Sequence, residues 1–414
     1  MKIAIISSGF LPVVDGVSIA VFNRLIKLSK WGHQVLLFCP DYSPLLEIYP
    51  DWQNYTGNIL PGVKVISLPS VPAIALNFER DPTAKSYQIV LDQLQQFQPD
   101  IIHVDEPERL ATRFLRLPGV AFAKQAGISC VSFFHTNYID YAEDYFPLPR
   151  LLMRLFQSLL KLMFARIYNS YDLTLVATEI TKKKVRQMGI NNVLQDRLLG
   201  INLNEFNSVT RQNNFWQKQY NISEIDHKIK LICIGRLTPD KGWNFTLNVF
   251  EQLAKEIELN NLAIIIIGEG DLKEKIAEKF SQLTSNFYLL GRVSPTDIPA
   301  LLVNSDIYMT ASEKETTGLT ILEASAAGIP IIAPSAGGVI DNIIDGKTGF
   351  IFEPQNIDDF LSKLKLLIAE QHLRQAMGNE GKNFVAKFDW DKAVNNLLKI
   401  WQKQIEEKEH KFLS

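Results

Sequence analysis

The sequence lacks the features that mark secreted, membrane-spanning and nucleic-acid-binding proteins. Its 414 residues include three cysteines, each within an apolar, strand-like run, so buried free thiols are expected rather than a disulfide framework. No apolar run reaches the roughly 18 residues that suggest a membrane span, and no secretory signal is visible. A net charge of −2 argues against broad binding to nucleic acid. These absences predict a cytoplasmic protein, either soluble or peripheral to a membrane.

Apolar strand-like runs alternate with longer helical patterns in both halves of the chain. The first half contains "KIAIISS" and "DIIHVDEPE", and the second contains "KLICIGRL" and "LAIIIIGEG". Strands separated by helices indicate a parallel sheet covered on both faces. Since 414 residues exceed one comfortable core, we predict an α/β protein with two doubly wound domains. These comprise residues 1–205 and 206–390, followed by a C-terminal helix at 391–414.

Ligands of doubly wound sheets bind beyond the carboxyl ends of the strands, so the loops after strands are candidate sites. In "ICIGRLTPDKG", Arg236 and Lys241 follow a strand and precede a helix. Two cations near a helix N-terminus suit a diphosphate, although a solvated basic loop is the alternative. No G-x-G-x-x-G fingerprint opens a strand–helix–strand unit, which argues against a dinucleotide oxidoreductase.

The stretch "SEKETTGLTILEASAAG" places Glu315 and Glu323 around Gly318. A loop followed by a helix would bring the two carboxylates to opposite ends of one small polar ligand, and each could accept two hydroxyl hydrogen bonds. Local helix chemistry is the alternative, because Thr320 and Glu323 have capping-box spacing, which would start the helix at Thr320. The motif alone does not decide between them.

Several motifs in the second half resemble the donor domain of family-4 glycosyltransferases, which are retaining enzymes of the GT-B fold with two Rossmann-like domains facing a central cleft. They are "GRLTPDKG", "GEGD", "SEKETTGLTILEASAAGIPIIAPSAGG" and "FDWDKAV". The resemblance implies that Arg236 and Lys241 hold the donor pyrophosphate, that Glu315 contacts the donor sugar, and that Glu323 contacts the ribose. It also places backbone amides near the sugar and phosphate, those of Gly318, Leu319 and Thr320.

The first half matches this family more loosely. "PVVDGVSIAV" resembles a glycine loop that approaches the donor diphosphate, with Gly16 at the matching position and Asp15 where many members have a second glycine. A helix-entry turn is the alternative for Gly16. "SFFHTNY" carries His135 after a strand, and the resemblance implies that His135 lies against the reacting sugar and supports positive charge.

The family generally needs no bound metal, so we expect none here. "FDWDKA" contains a D-x-D triplet, Asp389–Trp390–Asp391, but it adjoins the C-terminal helix, which Asp391 could cap. The expected co-substrate is a nucleotide sugar, namely a UDP-linked sugar. The leaving diphosphate is expected to accept the proton of the acceptor hydroxyl on the face where the new bond forms.

The segment 150–168 carries leucine, methionine and phenylalanine around a narrow cationic stripe. Such a helix is either largely buried packing or a contact with an anionic membrane surface. "DEPERL" and "FFHTNYIDYAEDY" resemble galactolipid synthases of the digalactosyldiacylglycerol type, and the second half resembles sulfoquinovosyldiacylglycerol synthases. We therefore expect hexose transfer to a membrane glycolipid, for example from UDP-galactose to a galactosyldiacylglycerol. Alternatives are a transferase for polysaccharide or a soluble glycoside, and a catalytically silent sugar-nucleotide-binding module.

Overall fold

A computed structural model of the protein describes residues 1–73, 76–146 and 148–413. The chain divides into two compact units. The first comprises Met1–Gly200 together with Trp390–Ser414, and the second comprises Ile201–Asp389. Both are built on parallel sheets, as the alternation of strand-like and helical segments predicts.

The first unit contains an eight-stranded sheet and a separate two-stranded hairpin. Its strands are β1 (Lys2–Ser7), β2 (Gln34–Pro40), β3 (Gly57–Leu60), β4 (Val63–Leu68), β5 (Ser70–Ala73), β6 (Leu76–Pro82), β7 (Ile101–Asp105), β8 (Ser129–Phe133), β9 (Leu173–Val176) and β10 (Val193–Gln195). The helices that precede the second unit are α1 (Gly16–Lys30), α2 (Tyr87–Phe97), α3 (Pro107–Phe114), α4 (Val120–Ala126), α5 (Tyr138–Tyr145), α6 (Arg150–Tyr168) and α7 (Glu179–Gln187).

The large sheet has the order β10-β9-β8-β7-β1-β2-β4-β3. All its neighbouring pairs are parallel except β3 and β4. From the adjacent pair β1 and β7, the chain builds outward in both directions, which makes the edge beyond these two strands the topological switch point where ligands of such folds bind. The residues after β1, β7 and β8 are therefore candidates for a ligand site.

The second unit contains a six-stranded parallel sheet of order β13-β12-β11-β14-β15-β16. Its strands are β11 (Ile229–Ile234), β12 (Leu262–Ile267), β13 (Phe287–Gly291), β14 (Ile307–Met309), β15 (Ile331–Pro334) and β16 (Gly349–Phe352). Its helices are α8 (Leu203–Asn207), α9 (Phe215–Tyr220), α10 (Trp243–Glu256), α11 (Lys273–Leu283), α12 (Ile298–Val303), α13 (Leu319–Ala327), α14 (Ile357–Ala369) and α15 (Gln371–Val385).

The core of the second unit lies on both faces of this sheet. Along β12, Ile264 and Ile266 pack into one apolar cluster, whereas Ala263 and Ile265 pack into the other. Successive side chains of a strand point to opposite faces, so a central strand covered on both sides must be apolar throughout. The polar segment 203–229 also contributes to this core, because α8 and α9 bury aromatic side chains such as Trp216 against it.

The C-terminal helix α16 (Trp390–Leu413) belongs to the first unit. The Trp401 side chain is fully buried, and its indole Nε1–H donates to Nδ1 of His103 over 3.3 Å. Asp391, in the first turn of α16, pairs with Lys27 of α1 at 2.8 Å. Within the described ranges, none of the helices combines the length and the apolar character that crossing a membrane requires.

Candidate functional site

The loops after β11 and β12 lie side by side and hold Arg236 at the carboxyl end of the sheet. The Leu237 amide donates to the Glu269 carbonyl over 2.8 Å. A Cβ on Gly268 would lie 1.9 Å from the Gly235 carbonyl oxygen, so this close approach requires glycine. The half-buried Arg236 guanidinium lies 3.3 Å from the Asp240 carboxylate. The backbone of "GEGD" therefore packs against the loop that carries Arg236 and holds this loop in position.

Lys241 and Glu315 form an ion pair at the same edge of the sheet. Lys241 Nζ lies 2.6 Å from Glu315 Oε1, and both side chains are partly exposed, at 17% and 24%. Burial alone would raise the pKa of Glu315, but the charges of Lys241 and Arg236 outweigh burial and hold that pKa below its usual value. An ionised carboxylate and two cations thus lie in one cluster, which can bind a hydroxylated and anionic ligand.

Helix α13 begins at Leu319, with Gly318 as the N-cap residue in the left-handed conformation at φ 75°. No side chain caps this helix, because its N-cap residue is glycine, and Thr320 lies inside the helix. The Thr320 hydroxyl accepts a hydrogen bond from the buried Tyr308 hydroxyl over 2.8 Å. The capping-box alternative is therefore wrong, because Thr320 is not the N-cap residue.

Glu323 lies one helical turn further along α13 and is half-buried. Burial, and to a lesser extent the carboxylate of Glu205, raise the pKa of Glu323 to about 7. The two glutamates of the motif thus differ in charge near neutral pH, since Glu315 is ionised and Glu323 is close to half-protonated. Carboxylates in different environments can serve different hydrogen-bonding roles.

A glycine pair after β15 braces the loop that carries Glu315. The Gly338 amide donates to the Glu315 carbonyl over 2.7 Å. A Cβ on Gly338 would lie 1.9 Å from the Thr316 carbonyl oxygen. The sequence shows "PSAGG" in the family-like stretch, but only the fold reveals that these glycines pack against the Glu315 loop.

In the first unit, Gly16 is the first residue of α1. The Asp15 side chain caps this helix by accepting from the Ser18 amide over 2.7 Å. No atom lies within 4 Å of a Cβ built on Gly16, and its φ is not positive. Helix entry therefore does not require glycine here, and the approach of the donor diphosphate to Gly16 stays a prediction.

His135 lies two residues beyond β8 and is almost fully buried. Its Nε2 atom is 2.6 Å from Oδ1 of Asp105, the last residue of β7. The imidazole also stacks on the Phe133 ring, with centroids 4.0 Å apart and planes 10° from parallel. Asp105 and Phe133 therefore fix both the position and the plane of the ring.

Asp105 is the centre of a buried polar network. Arg24 of α1 pairs with its carboxylate at 3.0 Å, and His103 Nε2 lies 3.1 Å from it. Burial alone would raise the pKa of Asp105, but Arg24 and the neighbouring imidazoles hold it well below its usual range. Burial lowers the pKa of His103 to about 4, so His103 is neutral and accepts the Trp401 N–H at Nδ1.

Sequence reasoning identified His135 but not Asp105, Arg24 or Trp401. The pairing of β7 with β8 aligns Asp105 with Phe133, and only this register brings residues 30 positions apart into contact. Arg24 stands among the apolar residues of α1. Since an arginine is rarely buried unless it is paired, this position was the one sequence signal for a buried acidic partner.

Known proteins resemble this chain over nearly its whole length. The model for glycosyltransferase family 4 matches residues 14–194, and the model for glycosyl transferases group 1 matches residues 214–384. The sulfoquinovosyl transferase SQD2 of Arabidopsis thaliana is 27% identical over 74% of this chain, which corresponds to 57% of that relative. The chain thus spans little more than half of that protein.

Two further relatives match more of their own lengths. The α-monoglucosyldiacylglycerol synthase of Streptococcus pneumoniae is 25% identical over 84% of this chain and 74% of the relative. The GDP-mannose-dependent α-mannosyltransferase of Mycolicibacterium smegmatis is 24% identical over 96% of each. Among solved structures, sucrose-phosphate synthase from Thermosynechococcus elongatus superposes with a TM-score of 0.77 at 16% identity, covering 98% of this chain and 99% of that one.

The two family models fall one in each unit, and the structural likeness shows a shared fold of paired doubly wound units. The chain is therefore a glycosyltransferase of the GT-B fold that combines a glycosyltransferase family 4 domain with a glycosyl transferases group 1 domain, and glycolipid synthases are among its relatives.

Proposed function

We propose that the protein is a retaining hexosyltransferase that moves a sugar from a UDP-linked donor to a glycolipid at a membrane surface. The first reaction to test is transfer of galactose to a galactosyldiacylglycerol. The choice of a lipid acceptor is supported by the name of one relative, a monoglucosyldiacylglycerol synthase, and by the surface of helix α6.

The exposed face of α6 is the observation that carries this proposal. Five of its leucines are more than half exposed, namely Leu151, Leu152, Leu155, Leu159 and Leu162 at 72, 52, 56, 65 and 69%. Only Met153, Phe164, Ile167 and Tyr168 of this helix are buried. The alternative of a largely buried packing helix is therefore wrong. An apolar patch of this kind on a protein surface marks an interaction site.

The charges on α6 favour an anionic membrane over a protein partner. Arg150, Arg154 and Lys161 are exposed among the leucines, and the helix contains no acidic residue. Exposed leucines can enter the interface between lipid headgroups and acyl chains, while each nearby cation contributes about 1 kcal/mol on anionic lipid. We propose that α6 holds the enzyme peripherally on the cytoplasmic face of a membrane, where its acceptor resides.

In the proposed reaction, the bond between the anomeric carbon and the departing diphosphate oxygen breaks as the bond to the acceptor oxygen forms on the same face. The acceptor proton passes to the diphosphate oxygen. Arg236 and Lys241 stabilise the charge of the leaving group, Glu315 orients the sugar, and His135 supports its positive charge. Placement and electrostatic stabilisation supply the rate enhancement, with no metal ion.

The test is a transfer assay with UDP-galactose and anionic vesicles that contain monogalactosyldiacylglycerol, with lipid products separated by thin-layer chromatography. The expected result is a digalactosyl lipid made by the wild-type protein and absent with Glu315→Ala. Vesicle flotation should fall at least tenfold for Leu155→Ser/Leu159→Ser. Leu46→Ser is the matched control, because Leu46 is 54% exposed outside α6. Transfer confined to water-soluble acceptors would overturn the lipid assignment.

A further inference from the structure

A second group of polar side chains lies at the carboxyl edge of the first unit's sheet. Ser8 follows β1, Glu106 follows β7, and Asn137 lies between β8 and α5. Since β1 and β7 are neighbours at the topological switch point, these residues occupy the edge where doubly wound sheets bind ligands.

The two carboxylate oxygens of Glu106 differ in their hydrogen bonding. Its Oε2 atom accepts from the Ser8 hydroxyl at 2.5 Å and from the Tyr138 hydroxyl at 3.0 Å. The residue is 1% exposed, and its Oε1 atom has no hydrogen-bond partner among the described residues. An unpaired buried carboxylate oxygen is costly. The arrangement therefore calls for a hydrogen-bond donor at Oε1.

The backbone of Glu106 is also unusual. Its φ is +53°, a left-handed conformation that costs a non-glycine residue roughly 1 kcal/mol. Such strain persists where the surrounding structure enforces it, most often at functional sites. Here it places the carboxylate between the hydroxyls of Ser8 and Tyr138.

Asn137 is the second uncommitted group. It is 4% exposed, and neither its side-chain oxygen nor its nitrogen has a partner among the described residues. A side-chain amide offers two donors and one acceptor. Glu106 and Asn137 together therefore offer both acceptors and donors, the combination that neighbouring hydroxyl groups of a sugar satisfy.

Among the described residues, no cation forms a direct ion pair with Glu106. Arg109, three residues further on, pairs with Glu79 at 2.8 Å and with Asp81 at 2.6 Å. Arg113 also pairs with Asp81, at 2.6 Å. These arginines and acids form their own network around the β5–β6 hairpin, and both arginines make their direct ion pairs there. A carboxylate without a direct ion pair can accept hydrogen bonds from neutral hydroxyls, whereas a phosphate group brought to it would add like charge.

We propose that Glu106 and Asn137 bind hydroxyl groups of the acceptor's sugar, and that the acceptor headgroup is a neutral glycoside rather than a phosphate or a bare diacylglycerol. This inference rests on the proposed function and deepens it. Diacylglycerol offers a single hydroxyl, which must be the nucleophile, and leaves none for these two side chains. A glycosyl headgroup supplies the reacting hydroxyl and its neighbours.

The experiment uses octyl β-galactoside and its mono-deoxy analogues as acceptors, with UDP-galactose as donor. Glu106→Gln and Asn137→Ala should raise the acceptor KM about 10–100-fold, the range for a hydrogen bond to a charged group. Thermal protection by UDP should be unchanged. Glu108→Gln is the matched control: Glu108 is also buried with one unpartnered oxygen, its other oxygen accepts from the Tyr168 hydroxyl, and burial raises its pKa well above the usual value.

The deoxy acceptors distinguish binding from a structural role. For the wild-type protein, at least one deoxy analogue should have a kcat/KM about tenfold lower than octyl β-galactoside. For Glu106→Gln, the same analogue and octyl β-galactoside should have equal kcat/KM values. If every deoxy analogue lowers kcat/KM by the same factor in Glu106→Gln as in the wild-type protein, the proposal is overturned. If the wild-type protein transfers no galactose, the proposed reaction is wrong. The acceptor site is then tested on its own by measuring octyl galactoside binding with saturation-transfer NMR. Binding lost in Glu106→Gln and kept in Glu108→Gln would still support the site, whereas no binding or equal binding would overturn it.

Discussion

The Nε2 atom of His135 lies 2.6 Å from Oδ1 of Asp105, and this contact orients the imidazole from the neighbouring strand. The same carboxylate pairs with Arg24 at 3.0 Å. A buried acid that accepts from a histidine N–H selects the tautomer of the ring and fixes its plane. Asp105 is thus a positioning residue for His135, and Arg24 keeps it ionised.

Replacing Asp105 by asparagine should lower both turnover and stability. The buried Arg24 guanidinium would lose its counter-charge, which costs about 3–5 kcal/mol for a buried pair. Turnover of the folded variant should fall at least tenfold, because a neutral amide oxygen replaces the anionic oxygen that accepts from His135. If Asp105 acts through His135, adding Asp105→Asn to His135→Ala should change kcat little, whereas independent losses that multiply would contradict this role. Denaturant unfolding and assays at low temperature separate the two effects.

Glu315→Gln and Lys241→Met should affect turnover far more than stability. Their ion pair is partly exposed, and exposed pairs contribute about 0.2–1 kcal/mol. Removal of a group that stabilises developing charge costs about 10²–10³-fold in kcat. The matched control is Glu251→Gln, which breaks a 2.8 Å pair with Lys279 on the helices α10 and α11. Near-normal turnover by folded Glu315→Gln would count against its predicted role.

Gly16→Ala tests a ligand contact with little risk to the fold. A Cβ at this position meets no atom within 4 Å, and alanine favours a helix by up to about 1 kcal/mol over glycine. We expect the melting temperature to stay the same or rise while kcat/KM for the donor falls at least tenfold. Unchanged turnover would show that the donor diphosphate does not approach Gly16.

The strands were predictable because central strands of a parallel sheet are apolar along their whole length. "LAIIII" predicts β12 for this reason, and its alternate residues pack on opposite faces. The start of α13 was not decided by the sequence, because Gly318 and Thr320 both fit helix-start chemistry. In the structure Gly318 is the N-cap residue, and Thr320 lies inside the helix, where its hydroxyl accepts from the Tyr308 hydroxyl.

Contacts that depend on strand register could not be predicted. Nothing local connects Asp105 to His135, or Ser8 to Glu106, until β1, β7 and β8 are aligned. The exposure of α6 was equally hidden, because a helix rich in leucine fits a core and a membrane surface alike. Its environment, rather than its pattern, distinguishes the two.

The last prediction concerns Glu323, whose pKa is raised from 4.5 to about 7. Between these values the side chain is protonated in the folded protein and ionised in the unfolded chain, so unfolding releases a proton and stability falls as pH rises. Glu323→Gln removes this linkage. We expect the variant to gain stability relative to the wild-type protein as pH rises through 5–7, reaching on the order of 2 kcal/mol at pH 8.

Donor affinity should change in the opposite direction. If the ionised carboxylate accepts hydroxyl hydrogen bonds from ribose, UDP binding by the wild-type protein should tighten several-fold from pH 6 to pH 8, and Glu323→Gln should bind with no such dependence. Calorimetry of UDP binding and urea unfolding at matched pH values provide both measurements. Glu205→Gln is the control, because removing the second cause of the raised pKa should shift the wild-type profile to lower pH without abolishing it. A pH-independent stability difference between Glu323→Gln and the wild-type protein would contradict the raised pKa, since an unshifted pKa would give Glu323 the same charge in the folded and unfolded states at every pH.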